Sequence, residues 1–273
     1  MSAILVHKKS STFHDFPYAC AQRKCIHNWI INVTPPGFSH CIHQCVYCYA
    51  RDAIFSRSTE GVLEVYDNLP ELVERDLDRI SLCPPISISN TTDPCQAVPE
   101  LRREVARLVR LLVRRGLSIL IATKGDAAFL LDIEGFAASP NRVVATTIEG
   151  PPEVLRLLSP RAPAFEERLA SVRRLAQAGV KAVVRLDPFL PHVHQAVYGG
   201  DWFGRVEALI GEFAAAGCGH VICSTGRLAL KPQAGQPASS LERLAALLRE
   251  ADPSAATALR RDYAFDRSGT SAG

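Results

Sequence analysis

The run Cys41-Ile42-His43-Gln44-Cys45-Val46-Tyr47-Cys48 places three cysteines at the spacing C-x3-C-x2-C. With nine cysteines among 273 residues, chance placement gives this spacing in roughly one chain in a hundred. Three chemistries compete for it. Positions i, i+4 and i+7 share a helix face, where cysteine packs as a small core residue. Three thiolates completed by His40 or His43 would make a Cys3His zinc site, although such sites usually pair two short knuckles and only one tight cluster stands here. Three thiolates also bind three irons of a cubane and leave the fourth without a protein ligand. An open coordination position is what a catalytic metal needs.

The surroundings favour metal over disulfides. The longest stretch without Asp, Glu, Lys or Arg runs from Cys25 to Ala50 and holds three of the eight His, with Pro and Asn. It is too polar to span a bilayer. The opening MSAILVHKKSSTF lacks a secretory pattern. The reading is a cytoplasmic protein with reduced thiols and no membrane partner, in which clustered cysteines mean metal or catalysis. Cys20 and Cys25, with His27, either bind an additional cluster or zinc or are two free thiols; the second reading leads. Apolar residues make up 47% and charged residues 22%, which excludes a disordered chain. A net charge of +3 is too weak to argue nucleic-acid binding by itself.

The elements that must position the loop follow from hydrophobic periodicity. Apolar runs predict strands at Trp29–Val33, Ile86–Ser89, Ser118–Ala122, Arg142–Ile148, Val180–Leu186 and His220–Ser224. Helical patterns predict Leu69–Leu82, Val98–Arg115, a weaker helix over Ala127–Ala137, then Phe165–Ala178, Asp201–Ala216 and Ser239–Glu250. Gly179 and Gly217 are helix stops. Strand–helix alternation indicates an α/β fold with a parallel sheet, either open and doubly wound or curved and barrel-like. No GxGxxG or GxxxxGK[ST] follows a strand. The expected organisation is an N-terminal extension over 1–28, a core over 29–262 and a disordered tail over 263–273.

C-x3-C-x2-C with an aromatic before the last cysteine resembles the radical S-adenosylmethionine (radical SAM) superfamily. The tracts Cys48-Tyr49-Ala50-Arg51, Thr91-Thr92-Asp93-Pro94, Thr123-Lys124, Ser159-Pro160-Arg161-Ala162, Glu167-Arg168-Leu169 and Arg185-Leu186-Asp187-Pro188 are, in that order, similar to its spore photoproduct lyase-like (DNA repair photolyase-like) group. The resemblance implies a partial (β/α)6 barrel with the cysteine loop after the first strand. It implies a [4Fe–4S] cluster on Cys41, Cys45 and Cys48, with SAM chelating the open iron. Reduction would cleave SAM to methionine and a 5′-deoxyadenosyl radical that abstracts hydrogen from a substrate. The backbone of Tyr47 would approach the adenine. An electron donor such as a flavodoxin or ferredoxin is implied, and a nucleic-acid lesion or modified nucleoside stands among the implied substrates, in a lyase-type reaction.

In such barrels functional groups sit at the C-terminal ends of strands. Those ends are polar here: Asn90-Thr91-Thr92-Asp93, Thr123-Lys124, Thr146-Thr147-Ile148-Glu149, Arg185-Leu186-Asp187 and Ser224-Thr225. Lys124 and Arg185 can meet a carboxylate, the hydroxyls and Asn90 a ribose, and Asp93 or Glu149 an ammonium. By resemblance Thr92 and Lys124 fall where the family contacts SAM, with Thr147 or its neighbour Thr146 near another such position. Helix capping is the competing role for Asp93 and Thr123. Asn90 stands where the lyase group carries a cysteine that donates a hydrogen atom. Cys95, five residues on, is the candidate replacement. Cys218 and Cys223 flank a strand and read as core. Arg103, Arg107, Arg110 and Arg114 form a basic stripe on one helix, read as a solvated face rather than a phosphate track.

Overall fold

Strands such as Trp29–Ile31 carry apolar side chains throughout, and a strand of that kind is stable where both faces are covered. The computed structural model describes residues 2–9, 11–15, 29–35, 41–52, 62–81, 83–225, 228 and 237–268. Its elements run β1 (Ser2–Val6), β2 (His14–Asp15), β3 (Trp29–Ile31), β4 (Val62–Tyr66), α1 (Leu69–Leu77), β5 (Ile86–Ile88), α2 (Pro99–Arg114), β6 (Ile119–Thr123), β7 (Arg142–Thr147), α3 (Pro152–Leu158), α4 (Phe165–Gln177), β8 (Lys181–Leu186), α5 (Pro191–Tyr198), α6 (Trp202–Ala215), β9 (His220–Cys223), α7 (Ser240–Ala251) and α8 (Pro253–Ser268).

Six parallel strands lie in the order β3-β5-β6-β7-β8-β9, with β2 antiparallel to β3 at one edge. Spatial order follows chain order, and among the described residues the two edge strands, β2 and β9, do not pair. This is the partial (β/α)6 barrel expected from the sequence. The register aligns Thr123 with Thr146 and Thr147 with Arg185, so the polar strand ends share one rim.

Two apolar cores hold the frame. The larger lies between sheet and outer helices and includes Ile88, Leu108, Ile121, Val144 and Val184. The smaller joins α3, α5, α7 and α8 through Leu158, Val193, Leu244, Leu248 and Leu259, and Val46 and Tyr47 of the cysteine loop pack on it. Helix α4 stops because Gly179 adopts φ +78° and the Val180 amide bonds back to the Leu175 carbonyl, a backbone turn that favours glycine.

The structure departs from the sequence reading in several places. Ala127–Ala137 forms only a short 3-10 turn over Ala128–Asp132; Gly135, at φ +75°, stops a helix there. The first helix ends at Leu77 rather than Leu82. The boundary expected at residue 29 is crossed by hydrogen bonds, since β1 pairs with β4 and β2 with β3. The tail expected from 263 is helical to Ser268, because α8, opened by Pro253, continues there. Cys20, Cys25, His27, His40 and residues 269–273 lie outside the described residues. On α2, Arg103 pairs with Glu104, and Arg107 with Glu104 and Glu71, a helix-face network of the kind charged surfaces form. Among the described residues no helix is long and apolar enough to cross a membrane, and the described cysteines are free.

Candidate functional site

In the loop after β3, the described residues 41–48 carry turns but no helix or strand, so their backbone groups need partners elsewhere. Within it the Cys48 amide donates to the Cys45 carbonyl at 3.2 Å. Outside it, several segments bond to its described residues. The Ile42 amide donates to Gln96 Oε1 at 2.7 Å. The Val46 amide donates to the Leu158 carbonyl at the end of α3, at 3.0 Å. Tyr47 donates its hydroxyl hydrogen to Glu149. Arg243 of α7 donates to the Val46 carbonyl at 3.0 Å. Gln44 has φ +45°, a left-handed conformation uncommon outside glycine, and its side chain accepts from Arg161 at 2.6 Å.

The three thiols are neighbours in an electrostatic sense. Burial pushes Cys41 up to about 12, with Asp93 and Cys48 adding to it. Burial also raises Cys45 and Cys48, and Cys45 is raised further by Cys41 and Cys48 while Lys124 opposes. Gathered thiolates out of water are costly unless a cation offsets them. Among the described residues no three His, Cys, Asp or Glu side chains are gathered as one metal ion would hold them. His43, the described candidate for a fourth zinc ligand, faces Asp93 instead, 3.2 Å from Oδ2. Three thiols at this spacing, with no fourth ligand beside them among the described residues, fit an iron–sulfur cluster with an open iron.

Two buried carboxylates organise the rim. Asp93 accepts from the Thr123 hydroxyl at 2.5 Å, the Lys124 amide at 2.5 Å and the Cys95 amide at 2.8 Å. Burial alone would raise its carboxyl; His43 and these donors outweigh it and hold it well below the usual carboxylate range. Glu149 is fully buried and paired with Arg168 at 2.7 Å and Lys124 at 3.8 Å. Burial lowers the Lys124 ammonium, but Cys45 and Glu149 outweigh it and the net shift is upward. Lys124 also lies 5.4 Å from the Tyr47 ring centre, within cation–π range. The ammonium therefore stays charged beside the thiols.

Gly125 lets this hub close. Its amide donates to Asp93 and Thr123, and a Cβ there would run into the Cys95 carbonyl. Gly125→Ala is expected to destabilise by about 1–3 kcal/mol, checked by thermal unfolding. Gly211→Ala, with open space around it on α6, serves as the comparison and is expected to stabilise slightly.

The other expected site residues fall as follows. Asn90 accepts from Ser87 at 2.5 Å. Thr92 shares a hydrogen bond with Thr34 at 2.7 Å. Thr147 is buried beside Arg185 across the β7–β8 ladder. Arg185 pairs with Asp187, which also accepts from Ser224 at 2.8 Å. Asp93 and Glu149 are engaged by protein donors rather than left for an ammonium. Cys95 requires correction: it is fully buried in the larger core, and a hydrogen donor must touch its substrate. Cys223, read as core, is exposed at the end of β9. The Thr91 and Thr146 hydroxyls and the Asn32 carboxamide oxygen are buried with no hydrogen-bond partner. Such orphans at strand ends suit a polar ligand.

Sequence reasoning passed over His43 as an Asp93 partner, and missed Gln96, Gln44 and Arg243. It used Arg168 only as part of a tract. A signal existed for Arg168: it interrupts the apolar stripe Phe165, Leu169, Val172 of α4, where a charge needs a buried partner.

Comparison with known proteins agrees with this geometry. The model of the radical SAM superfamily matches residues 36–195. Among curated proteins, the uncharacterized protein Rv2578c of Mycobacterium tuberculosis is 27% identical over 194 residues, covering 67% of this chain and 55% of that protein. The uncharacterized protein Mb2609c of Mycobacterium bovis matches to the same extent. The chain thus spans about half the length of these relatives, 55%. Among solved structures, a cysteine-to-serine mutant of spore photoproduct lyase aligns with TM-score 0.62 at 16% identity, covering 92% of this chain and 66% of that one. A double mutant of that lyase with bound AdoMet and dinucleoside spore photoproduct gives TM-score 0.59 at 15% identity, with the same coverage. At such identity the likeness shows the fold alone. The family match runs from the cysteine loop to α5, over more than half of the sequence, and by it the chain belongs to the radical SAM superfamily.

Proposed function

We propose that this protein is a radical SAM enzyme whose Cys41, Cys45 and Cys48 hold a [4Fe–4S] cluster and whose strand ends hold SAM. One observation carries the reading: three free thiols sit on a loop bonded to the same rim that presents Lys124 and unpartnered hydroxyls. A cluster held by Cys41, Cys45 and Cys48 would supply the one-electron reduction that cleaves SAM, with a flavodoxin- or ferredoxin-like protein as the electron donor and hydrogen abstraction from the substrate as the outcome.

The chain's own residues bind, orient and exclude water. Lys124 offers a half-buried ammonium, whose charged form Cys45 and Glu149 favour, to the SAM carboxylate, and Glu149 with Arg168 fixes where it points. Thr91, Thr92 and Thr146 offer hydroxyls, and Asn90, Thr147 and Arg185 extend the polar rim. Tyr47 is pinned by Glu149 and packed on the smaller core, which keeps solvent from the loop. The solved lyase holds a dinucleoside photoproduct, and we extend that substrate class, a modified nucleoside or nucleic-acid lesion, to this chain. Asn90 supplies no thiol at the end of β5, so the reaction assigned to this chain is hydrogen abstraction and not photoproduct repair.

Anaerobic reconstitution with iron and sulfide tests the reading. The expected product is a brown, oxygen-sensitive protein with about four irons per chain, releasing 5′-deoxyadenosine when reduced with SAM. A colourless protein that holds zinc and forms no deoxyadenosine would overturn it. Cluster colour without deoxyadenosine would overturn the enzymatic part.

A further inference from the structure

Arg243 stands in the first turn of α7, directly after a capping box. There the Ser239 hydroxyl accepts from the Glu242 amide at 3.2 Å and the Glu242 carboxylate from the Ser239 amide at 2.7 Å. A cation in the first turn is opposed by the helix dipole, so local helix energetics do not account for an arginine there. Its guanidinium turns out of the helix. Nε donates to the Val46 carbonyl at 3.0 Å, Nη2 approaches the Cys48 carbonyl at 3.5 Å, and Nη1 donates to the Ala238 carbonyl at 2.6 Å. Two of these acceptors belong to the cysteine loop. Helix α7 also touches the turn Tyr49–Asp52 that follows Cys48, and Val46 and Tyr47 pack on the core that α7 helps build. The radical SAM match ends at residue 195, so this contact comes from outside the matched region.

We infer that α7, through Arg243, is a positioning element for the metal centre: it clamps the turn between Cys45 and Cys48 and fixes a positive charge beside the cluster. The inference rests on the reading of Cys41, Cys45 and Cys48 as cluster ligands. The clamp acts through backbone carbonyls, so it constrains the loop whether or not a cluster is bound. The charge acts on the cluster itself. Three thiolates and a cubane carry net negative charge, which grows by one on reduction, and a nearby fixed cation favours the more negative state. Arg243 is a positioning residue, since its guanidinium contacts carbonyls of the loop and not the ligand thiols.

Two variants of the full chain separate the two effects. R243Q removes the charge and the fork of donors; R243K keeps the charge and loses the fork. In the iron-free proteins, amide hydrogen exchange at Val46 and Cys48 is expected to quicken about tenfold or more in R243Q. The amides of β6 and β7 report that the fold is intact. In the reconstituted proteins, a redox titration followed by electron paramagnetic resonance is expected to place the R243Q cluster at a more negative potential. R243K should restore the potential while leaving exchange fast. Unchanged exchange in R243Q overturns the clamp. A potential that is unchanged in R243Q, or as low in R243K as in R243Q, overturns the charge effect. If the wild-type protein takes up no cluster, the cofactor reading fails and the exchange measurement still decides the clamp.

Discussion

Cys45→Ala is expected to abolish iron retention and deoxyadenosine formation while leaving the fold in place. Cys45 is 7% exposed, and a buried cysteine packs as a small hydrophobe, so its truncation costs about 1 kcal/mol. The functional loss is of another order. Removing an outer partner of a metal ligand already lowers metal affinity about 10–100-fold, and a direct ligand exceeds that. With Cys45 gone, Cys41 and Cys48 remain, too few thiolates to hold a cubane with only one open iron. Iron content after reconstitution and deoxyadenosine yield should both fall by more than about a hundredfold, with the thermal transition nearly unmoved. Cys218→Ala is the matched control. That thiol donates to the His220 carbonyl beside β9, far in sequence from the loop, and its loss should leave iron and product unchanged. Deoxyadenosine formation that survives Cys45→Ala would sink the ligand assignment. An equal loss in Cys218→Ala would show that the total number of thiols, not their position, governs cluster uptake.

The barrel was legible because its strands are short, apolar and separated by long helical patterns. Each of the six parallel strands fell within about two residues of its expected span. The helices that escaped share a cause. Helices α3 and α5 have 7 and 8 residues, and both, like α8, begin at proline. Proline marks a break when read along a sequence, yet it is well suited to a helix's first position. Those same helices build the smaller core that packs on Val46 and Tyr47. Missing them meant missing what closes the loop from outside.

The site was legible in its ligands and rim but not in its supports. The cysteine spacing and the strand-end positions are local patterns. The anchors are not: Gln96 to Ile42, Glu149 to Tyr47 and Arg243 to Val46 join residues separated by 54, 102 and 197 positions. No periodicity encodes such pairs. Asp93 shows the opposite failure. Its place before Pro94 suggested a helix cap, but α2 begins at Pro99 with Val98 at its cap. The carboxylate instead gathers donors from β6 and from the loop, because a buried charge needs several. Cys95 was proposed for its distance in sequence from Asn90; its burial reflects the close approach of Gly125 to its backbone.

Arg168→Met is expected to be the most destabilising substitution at the site. The guanidinium is fully buried, and every arm is used: Nη1 to Glu149 and the Thr147 carbonyl, Nη2 to Ser159, Nε to the Pro163 carbonyl. Removing one partner of such a pair costs about 3–5 kcal/mol, because the other charge stays buried without it. For a chain of this size that lowers the midpoint by roughly 10 °C. The pH dependence identifies the cause. Burial raises the Glu149 carboxyl, but Arg168 and then Lys124 outweigh it, so the folded value lies below the ordinary 4.5. The stability from this pair is therefore fully present above 4.5 and is lost as pH falls through the lowered folded value. Without Arg168, burial raises Glu149 and favours its protonated form. The deficit of Arg168→Met relative to wild type should thus be largest at neutral pH and shrink in acid, where Glu149 is neutral in both proteins. Comparing the two proteins at each pH removes the titrations they share. Adding Glu149→Leu should restore part of the loss, with a coupling of about 1–3 kcal/mol, although Lys124 and Tyr47 then lose their acceptor. A deficit that is the same at neutral and acid pH, together with an additive double variant, would show that Arg168 acts by packing and not by charge.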